Sequence, residues 1–365
     1  MSFGARAEIR LDALRANLDR LRSAAPDAKV IAAVKANAYG HGIETVARAL
    51  EDVECLGVAR LSEAARLRRA GIDGSILLMS GVLDTDELGQ AVTLGCDLVV
   101  HTGEQVELLE SARVPPRRVW LKVDTGMRRL GVDCDAVPAL AERLRNAGSV
   151  GPVGLMTHLA NADDLADPAS SRQFERFEKL TRGFDGDVSV ANSAALLGWG
   201  DDIADPGRWG NAGEVWIRPG ISLYGISPLV GKSAIELGLR PVMQFETVLL
   251  AVKPIAAGSR VGYGGTWRAD TDTVLGIAAA GYGDGYSRFL PSGTPVLVNG
   301  RRVPVAGVVS MDLVALDLGP GAAASVGDPV VLWGDGLPVE EVASFAGTIP
   351  YALVTGVIDR AGRLV

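Results

Sequence analysis

Val30-Ile31-Ala32-Ala33-Val34-Lys35-Ala36-Asn37-Ala38-Tyr39-Gly40-His41-Gly42 decides how this chain is read. An unbroken apolar run of this length reads as a strand buried on both faces. It stops at a lysine, followed by a turn that holds an Asn, two Gly, a Tyr and a His. A lysine at the end of a buried strand is costly to desolvate unless it is paired or used chemically. Its most economical use is as a free amine in an apolar slot, ready to condense with a carbonyl. The plain alternative is a strand-end lysine that snorkels into water. Tyr39 and the glycines weigh against that alternative. They place a phenol and free backbone N–H groups near the amine, and such groups suit a phosphate.

Working outward, apolar runs recur at 30–34, 55–59, 75–79, 97–100, 118–123, 152–157, 187–191 and 215–217. Helical patterns lie between them. Leu11, Leu14, Leu18 and Leu21 form a stripe. Ser62 precedes a helix that Gly71 ends. Thr102 and Gln105 read as a capping box. Asp135 opens a helix that Gly148 closes, and Pro168 begins another. This alternation predicts an N-terminal (β/α)8 TIM barrel, an α/β unit over 1–230. The helix of the eighth unit is short or missing. Beyond Pro228 the texture changes to Val, Thr and Gly with frequent turns. Asn299-Gly300 between two apolar runs is a hairpin signal. Residues 231–365 are therefore expected to form a C-terminal, mainly β domain, with the boundary near Gly231-Lys232-Ser233.

The chain of 365 residues, 48% hydrophobic, can supply a large core and a second domain. A formal charge of −8 without a basic cluster argues against a nucleic-acid partner. No run of about 18 apolar residues suggests a membrane span. Met1 to Arg10 has no apolar signal core. The three cysteines, Cys55, Cys96 and Cys134, are scattered and in no metal-binding spacing. With only three His, no metal site is expected. A cytoplasmic protein with reduced thiols is the expectation.

In this barrel architecture the active site gathers at the C-terminal ends of the strands. Those ends carry Lys35 and Tyr39 after the first run, and Lys122, Asp124 and Arg129 after the fifth. His158, Asn161, Asp163 and Asp164 follow the sixth, Asn192 and Ser193 the seventh, and Arg218, Gly220 and Ile221 the eighth. Taken singly, each has a plain reading. His158 is a satisfied buried His, Arg218 a surface or helix-end arginine, Ser193 a helix cap and Asp163 a solvated loop residue. Their joint placement at one end of separately read strands reverses those odds. Ser193, Gly220 and Ile221 can offer a hydroxyl and N–H groups to a phosphate at the start of a helix over 194–197. The second half repeats a pattern of Tyr beside Gly around Tyr263, Tyr282 and Tyr286, followed by Met311-Asp312 and Pro350-Tyr351. Aromatic packing explains Tyr286 equally well.

The Lys35 stretch resembles the cofactor-lysine segment of the alanine racemases, and the resemblance extends over most of the chain. Thr157-His158-Leu159-Ala160-Asn161-Ala162-Asp163 and the run Arg218 to Gly225 are similar to two further motifs of that family. The resemblance implies a pyridoxal-phosphate (PLP) enzyme that interconverts L- and D-alanine, for peptidoglycan supply or alanine catabolism. It implies Lys35 as cofactor lysine and D-face base, and Tyr263 as L-face base. Tyr39, His158, Asn192, Ser193, Arg218, Gly220, Ile221 and Tyr351 would contact the cofactor. Arg218 would face the pyridine nitrogen, and His158 together with Arg218 would lend Tyr263 a positive field. Arg129, Met311 and Asp312 would bind substrate, Asp163 and Tyr282 would flank the entrance, and Lys122 is a candidate for carbamylation. Tyr263, Tyr282, Met311 and Asp312 would reach the partner's cofactor, which makes the protein a homodimer with composite sites. Two positions depart from the family's pattern: Arg128, where relatives carry a small residue or His, and Ala352, where Glu is common. The Gly200 to Glu214 stretch is longer than the usual connection. The rivals are a serine or broad-specificity racemase, a PLP decarboxylase of the same fold, and a non-catalytic PLP-binding homeostasis protein. Decarboxylases of this fold use a cysteine-bearing loop in the β domain, whereas Cys55, Cys96 and Cys134 all lie in the first half.

Overall fold

A computed structural model of the chain describes residues 4–112, 114, 116–147, 152–210 and 212–365. The expected helix end at Gly148 lies outside these residues. A closed barrel of parallel strands is built from β2 (Lys29–Ala33), β3 (Cys55–Val58), β4 (Ile76–Leu78), β5 (Cys96–Val100), β6 (Val119–Lys122), β7 (Val153–Met156), β8 (Val188–Asn192) and β9 (Val215–Arg218). Each coincides with an apolar run, because strands buried on both faces leave no polar alternation. One residue from nearly every strand fills the barrel: Ile31, Cys55, Leu77, Val99, Trp120, Met156 and Trp216 are all buried together. Gly154 makes room for this layer, since a Cβ there would lie 2.6 Å from the Trp120 ring.

The eighth helix is replaced by a short 3-10 turn, Ile221–Tyr224. Helix Leu11–Arg22 packs there instead. Its buried Asn17 donates to the carbonyls of Leu223 and Arg240 and accepts from Arg240 N–H. An N-terminal helix thus covers the strand that its own chain position would not suggest.

The second half forms an 8-stranded sheet around the long strand β10 (Met243–Ile255). The hairpin Pro295–Val298/Arg301–Pro304 turns at Asn299 (φ 50°) and Gly300 (φ 76°). This is the positive-φ pair that a tight hairpin needs. Tyr286 is fully buried, with its ring 6.2 Å from that of Trp333, so its role is packing. One segment departs from the expected division of the chain. β1 (Arg6–Ile9) lies in this sheet and not in the barrel, antiparallel to β10 and parallel to Gly362–Leu364. Ala7 and Ile9 bury their side chains there, and β10 would otherwise expose an edge. Four residues carry too little period for a sequence reading to find that partner.

Candidate active site

The mouth of the barrel holds a cavity of about 380 Å³. Lys35, Tyr39, Arg129, His158, Asn192, Ser193, Arg218, Gly220, Ile221 and Tyr351 line it, all singled out from strand ends and motifs. Met79 and Thr355 also line it and were missed. Met79 follows β4, so the rule that found the others would have found it. Thr355 carries no such signal. It lies on helix Pro350–Thr355 of the second half, which folds back over the barrel mouth.

The lysine turn is locally unusual. Ala36, Asn37, Ala38 and Tyr39 all have φ between 52° and 56°, a turn of left-handed helix without a glycine. Each such residue costs roughly 1–2 kcal/mol, so surrounding contacts must hold it. Asn37 Oδ1 accepts from Ile43 N–H, and the ring Nδ1 of buried His41 donates toward the carbonyls of Ala38 and Tyr39. Gly40 (φ 84°) sits under helix Pro350–Thr355, where a Cβ would lie 2.0 Å from Val354 O. Close approach and positive φ both require glycine there.

Desolvation, then Arg129 and Arg218, hold the Lys35 amine below its ordinary pKa, with Glu63 opposing. A larger fraction is therefore free amine at neutral pH. Arg218 is buried and donates to Ser189 Oγ and to the carbonyls of Thr157 and Val190. Burial draws its pKa down to about 9, which leaves it charged at neutral pH. The Tyr39 hydroxyl occupies the space above Gly220, where a Cβ would come within 2.5 Å of it.

One plain reading falls away and one expectation needs correction. Ser193 is not the cap of helix Ser193–Gly198. Asn192 is, with its Oδ1 accepting from Ala195 N–H at 2.9 Å. That frees Ser193 Oγ to accept from Gly220 N–H (2.8 Å) and Ser222 N–H (3.3 Å). A hydroxyl and two N–H groups therefore converge beside Tyr39. His158, in turn, lends no positive field. Burial, then Arg218, Lys122, Arg129 and Lys35, push its pKa well below the ordinary histidine value, so it is neutral. Its Nε2 lies 3.4 Å from Asn192 Nδ2, and it makes no direct pair with Arg218, whose hydrogen bonds go to Ser189, Thr157 and Val190. Burial decides this, with the surrounding cations adding to it, and residue spacing does not reveal it.

Lys122 ends β6, buried and outside the cavity lining. Desolvation, then Arg218, Arg129 and Lys35, bring its pKa down to about 8, with Asp124 opposing. Tyr351 closes the rim, its ring 6.1 Å from that of Tyr39. Burial and then Asp163 push its phenol up to about 12. Where Glu is common in the family's pattern, Ala352 offers no support to the Tyr351 phenol; Thr355 Oγ1 donates to the Tyr351 carbonyl within the helix (2.6 Å). Arg128 adopts a positive φ of 56° and turns to Asp133 (3.7 Å), outside the cavity wall.

Tyr263, Tyr282, Met311 and Asp312 do not line this cavity. They gather elsewhere, on the surface of the second half. The Arg288 guanidinium lies 5.8 Å from the Tyr263 ring and 5.9 Å from the Tyr282 ring. Tyr282 N–H donates to Ser310 O, and Arg360 bridges Asp284 and Asp312. Tyr263 is 66% exposed and Met311 52%. The residues read from the sequence thus fall into two clusters, one lining the barrel cavity and one on the open surface.

A barrel whose mouth offers an amine, a charged arginine and a hydroxyl-and-amide cradle defines an enzyme of the kind that works through a phosphorylated carbonyl cofactor. The profile of the alanine racemase N-terminal domain matches residues 9–228, and that of the C-terminal domain matches 242–365. The chain is 50% identical to the alanine racemase of Shewanella loihica over 97% of both chains. It is 47% identical to that of Vibrio cholerae over 98% of this chain and 96% of the other. The biosynthetic alanine racemase from Pseudomonas aeruginosa superposes with a TM-score of 0.92 at 42% identity, covering 99% of each chain. That of Bartonella henselae, described with covalently bound pyridoxal phosphate, superposes at 0.85 and 26% identity, covering 100% of this chain and 99% of the other. The chain belongs to the alanine racemase family. The C-terminal match also removes the barrel-only PLP-binding alternative. Among the described residues no helix is long and apolar enough to cross a membrane.

Proposed function

We propose that Lys35 and Tyr263 are the two bases with which this PLP-dependent enzyme interconverts L- and D-alanine, and that Tyr263 acts in the partner's site of a homodimer. The observation that carries this reading is the division of the site, with Lys35 in the cavity and Tyr263 on an exposed patch. The cavity residues fit the cofactor. Tyr39 Oη, Ser193 Oγ and the N–H groups of Gly220 and Ile221 would hold its phosphate, for which Gly220 N–H would exchange its present acceptor, Ser193 Oγ, for a phosphate oxygen; a Cβ on residue 220 would fill the cradle. Arg218 would face the ring nitrogen, with His158, Asn192 and Tyr351 around the ring. When bound, PLP withdraws electrons from Cα of the substrate and makes its proton acidic enough for a side chain to remove.

The chain's own groups do the rest. Arg218 stays charged and keeps a proton off the nitrogen it faces, which moderates that electron withdrawal. Arg129 holds the substrate carboxylate. Met311 and Asp312 complete the pocket from the partner, and Asp163 and Tyr282 flank its entrance. Lys35, with its lowered pKa, exchanges the proton on the D face. Tyr263 exchanges it on the L face. A phenol of pKa about 10 needs cations nearby to act as a base. Arg129 and Arg218 supply that field, and neutral His158 does not. Cys55, Cys96 and Cys134 are free thiols, which suits the cytoplasm.

Tyr263→Phe is expected to slow deuterium exchange from L-alanine more than from D-alanine in single turnovers, by about 100-fold or more. L-serine run in parallel reports substrate preference. Equal slowing from both enantiomers would remove the face assignment. Steady-state rates cannot decide, because an equilibrium constant near one ties the two directions together.

Carbamylation of Lys122 belongs to the same reading. A neutral amine adds CO2 and releases a proton, and the resulting anion would face Arg129, Arg218 and Lys35. With a pKa near 8, the reactive neutral fraction of Lys122 grows as pH rises from 6 to 8. At fixed CO2 pressure a 13C carbamate signal should grow over that range and be missing in Lys122→Ala. A signal that persists in that variant would place the modification elsewhere.

A further inference from the structure

The left-handed turn after Lys35 is held to the neighbouring β/α unit by one carboxylate. Glu63, in the first turn of helix Leu61–Arg69, accepts Ala36 N–H on Oε1 at 2.6 Å. Its Oε2 accepts the N–H groups of Ala59 (2.8 Å) and Arg60 (3.0 Å). Ala36 is the first residue of the left-handed run and the direct neighbour of Lys35. The other bonds at Asn37 and His41 act within the turn itself. At its far end Arg363 donates to Gly40 O (3.0 Å), and helix Pro350–Thr355 packs on Gly40. At the Lys35 end, Val34 N–H donates to Gly57 O before the turn begins (2.9 Å), and Glu63 ties the first residue of the turn itself to another element. The turn has no glycine before Gly40, so its backbone is not at rest in this conformation. It brings Lys35 and Tyr39, four residues apart, onto the same cavity wall. Glu63 does not line that cavity.

We propose that Glu63 is a positioning residue for the racemisation: by holding Ala36 N–H it keeps the left-handed turn in place, so that the Lys35 amine and the Tyr39 hydroxyl address the same bound cofactor. The proposal rests on the reading of Lys35 as a base. The carboxylate also opposes the effect of Arg129 and Arg218 on the Lys35 amine, so its charge and its geometry act on the same residue.

Glutamine separates this role from ordinary capping. A Gln at the third helical position still accepts from the N–H groups that start the helix, as in capping boxes. It has one acceptor oxygen, so its NH2 would then face Ala36 N–H, donor against donor. In Glu63→Gln, backbone hydrogen exchange measured by mass spectrometry should accelerate about tenfold or more in peptides spanning 34–42. Peptides spanning 59–67 should be unchanged. The same pattern is expected in the cofactor-free and the cofactor-loaded protein. kcat should fall about 10–100-fold in both directions, as for a misplaced reacting group, with KM for alanine within about twofold. Unchanged exchange over 34–42 overturns the proposal, as does lost protection over 59–67 with kcat intact. An equal loss of protection in both segments with a general loss of thermal stability also overturns it, because Glu63 is then only a structural cap. Failure of the Lys35 reading looks different. Borohydride reduction of the wild-type protein would then leave no cofactor on Lys35, whatever Glu63 does, and both readings fall together.

Discussion

The Lys35→Ala protein is expected to retain less than about a thousandth of wild-type racemase activity in both directions, since under the proposed assignment one residue would both tether the cofactor and serve as a base. The fold should survive. Lys35 lines the cavity rather than the core, and alanine keeps the short turn beside it apolar. Borohydride reduction of the wild-type holoenzyme should leave the cofactor covalently on Lys35, found by peptide mapping. Two other lysines are the natural competitors. Lys122 has a lowered pKa of about 8, but it is buried and does not line the cavity. Lys253 is exposed on β10, in the other half of the chain. Cofactor trapped on either of them would end the Lys35 assignment.

Mixing two inactive proteins, Lys35→Ala and Tyr263→Phe, should restore activity to at most about one quarter of wild type. The figure follows from a random mixture in which half the dimers are mixed, each with one of its two symmetric sites intact. The reasoning is geometric. The Lys35 cavity and the Tyr263 patch are separate surfaces of one chain, the first concave and the second open. If the patch of one subunit completes the cavity of the other, a mixed dimer collects both defects in one site and leaves the other whole. No recovery despite proven subunit exchange, for instance by mass-tagged chains, would put both residues in the same chain's site. The composite-site proposal would then lack support.

Much of the site was legible because its residues follow strands. Strand ends are local features: an apolar run ends and polar residues begin. Lys35, His158, Asn192 and Arg218 were all found this way, and Met79 could have been. Residues that reach the cavity from elsewhere in the chain carry no such mark. Thr355 comes from a helix that packs on Gly40 across more than 300 residues of sequence. Glu63 reads as a surface glutamate in a helix start, and only its bond to Ala36 N–H gives it a second role.

The sequence by itself determined the eight barrel strands, the hairpin at Asn299-Gly300 and the lysine that organises the site. These rest on hydrophobic period and on backbone preferences of single residues, which act within a few positions of the chain. The tertiary structure decided four things. It paired Arg6–Ile9 with a sheet formed more than 230 residues later, and it made Asn192 the cap and Ser193 the acceptor for Gly220. It also held four residues after Lys35 in a left-handed turn, and it left His158 uncharged among Arg218, Lys122, Arg129 and Lys35. Each depends on which groups meet in space and how much water they lose on meeting. Desolvation and Coulomb interaction are set by distance in the folded chain, which residue order alone does not specify.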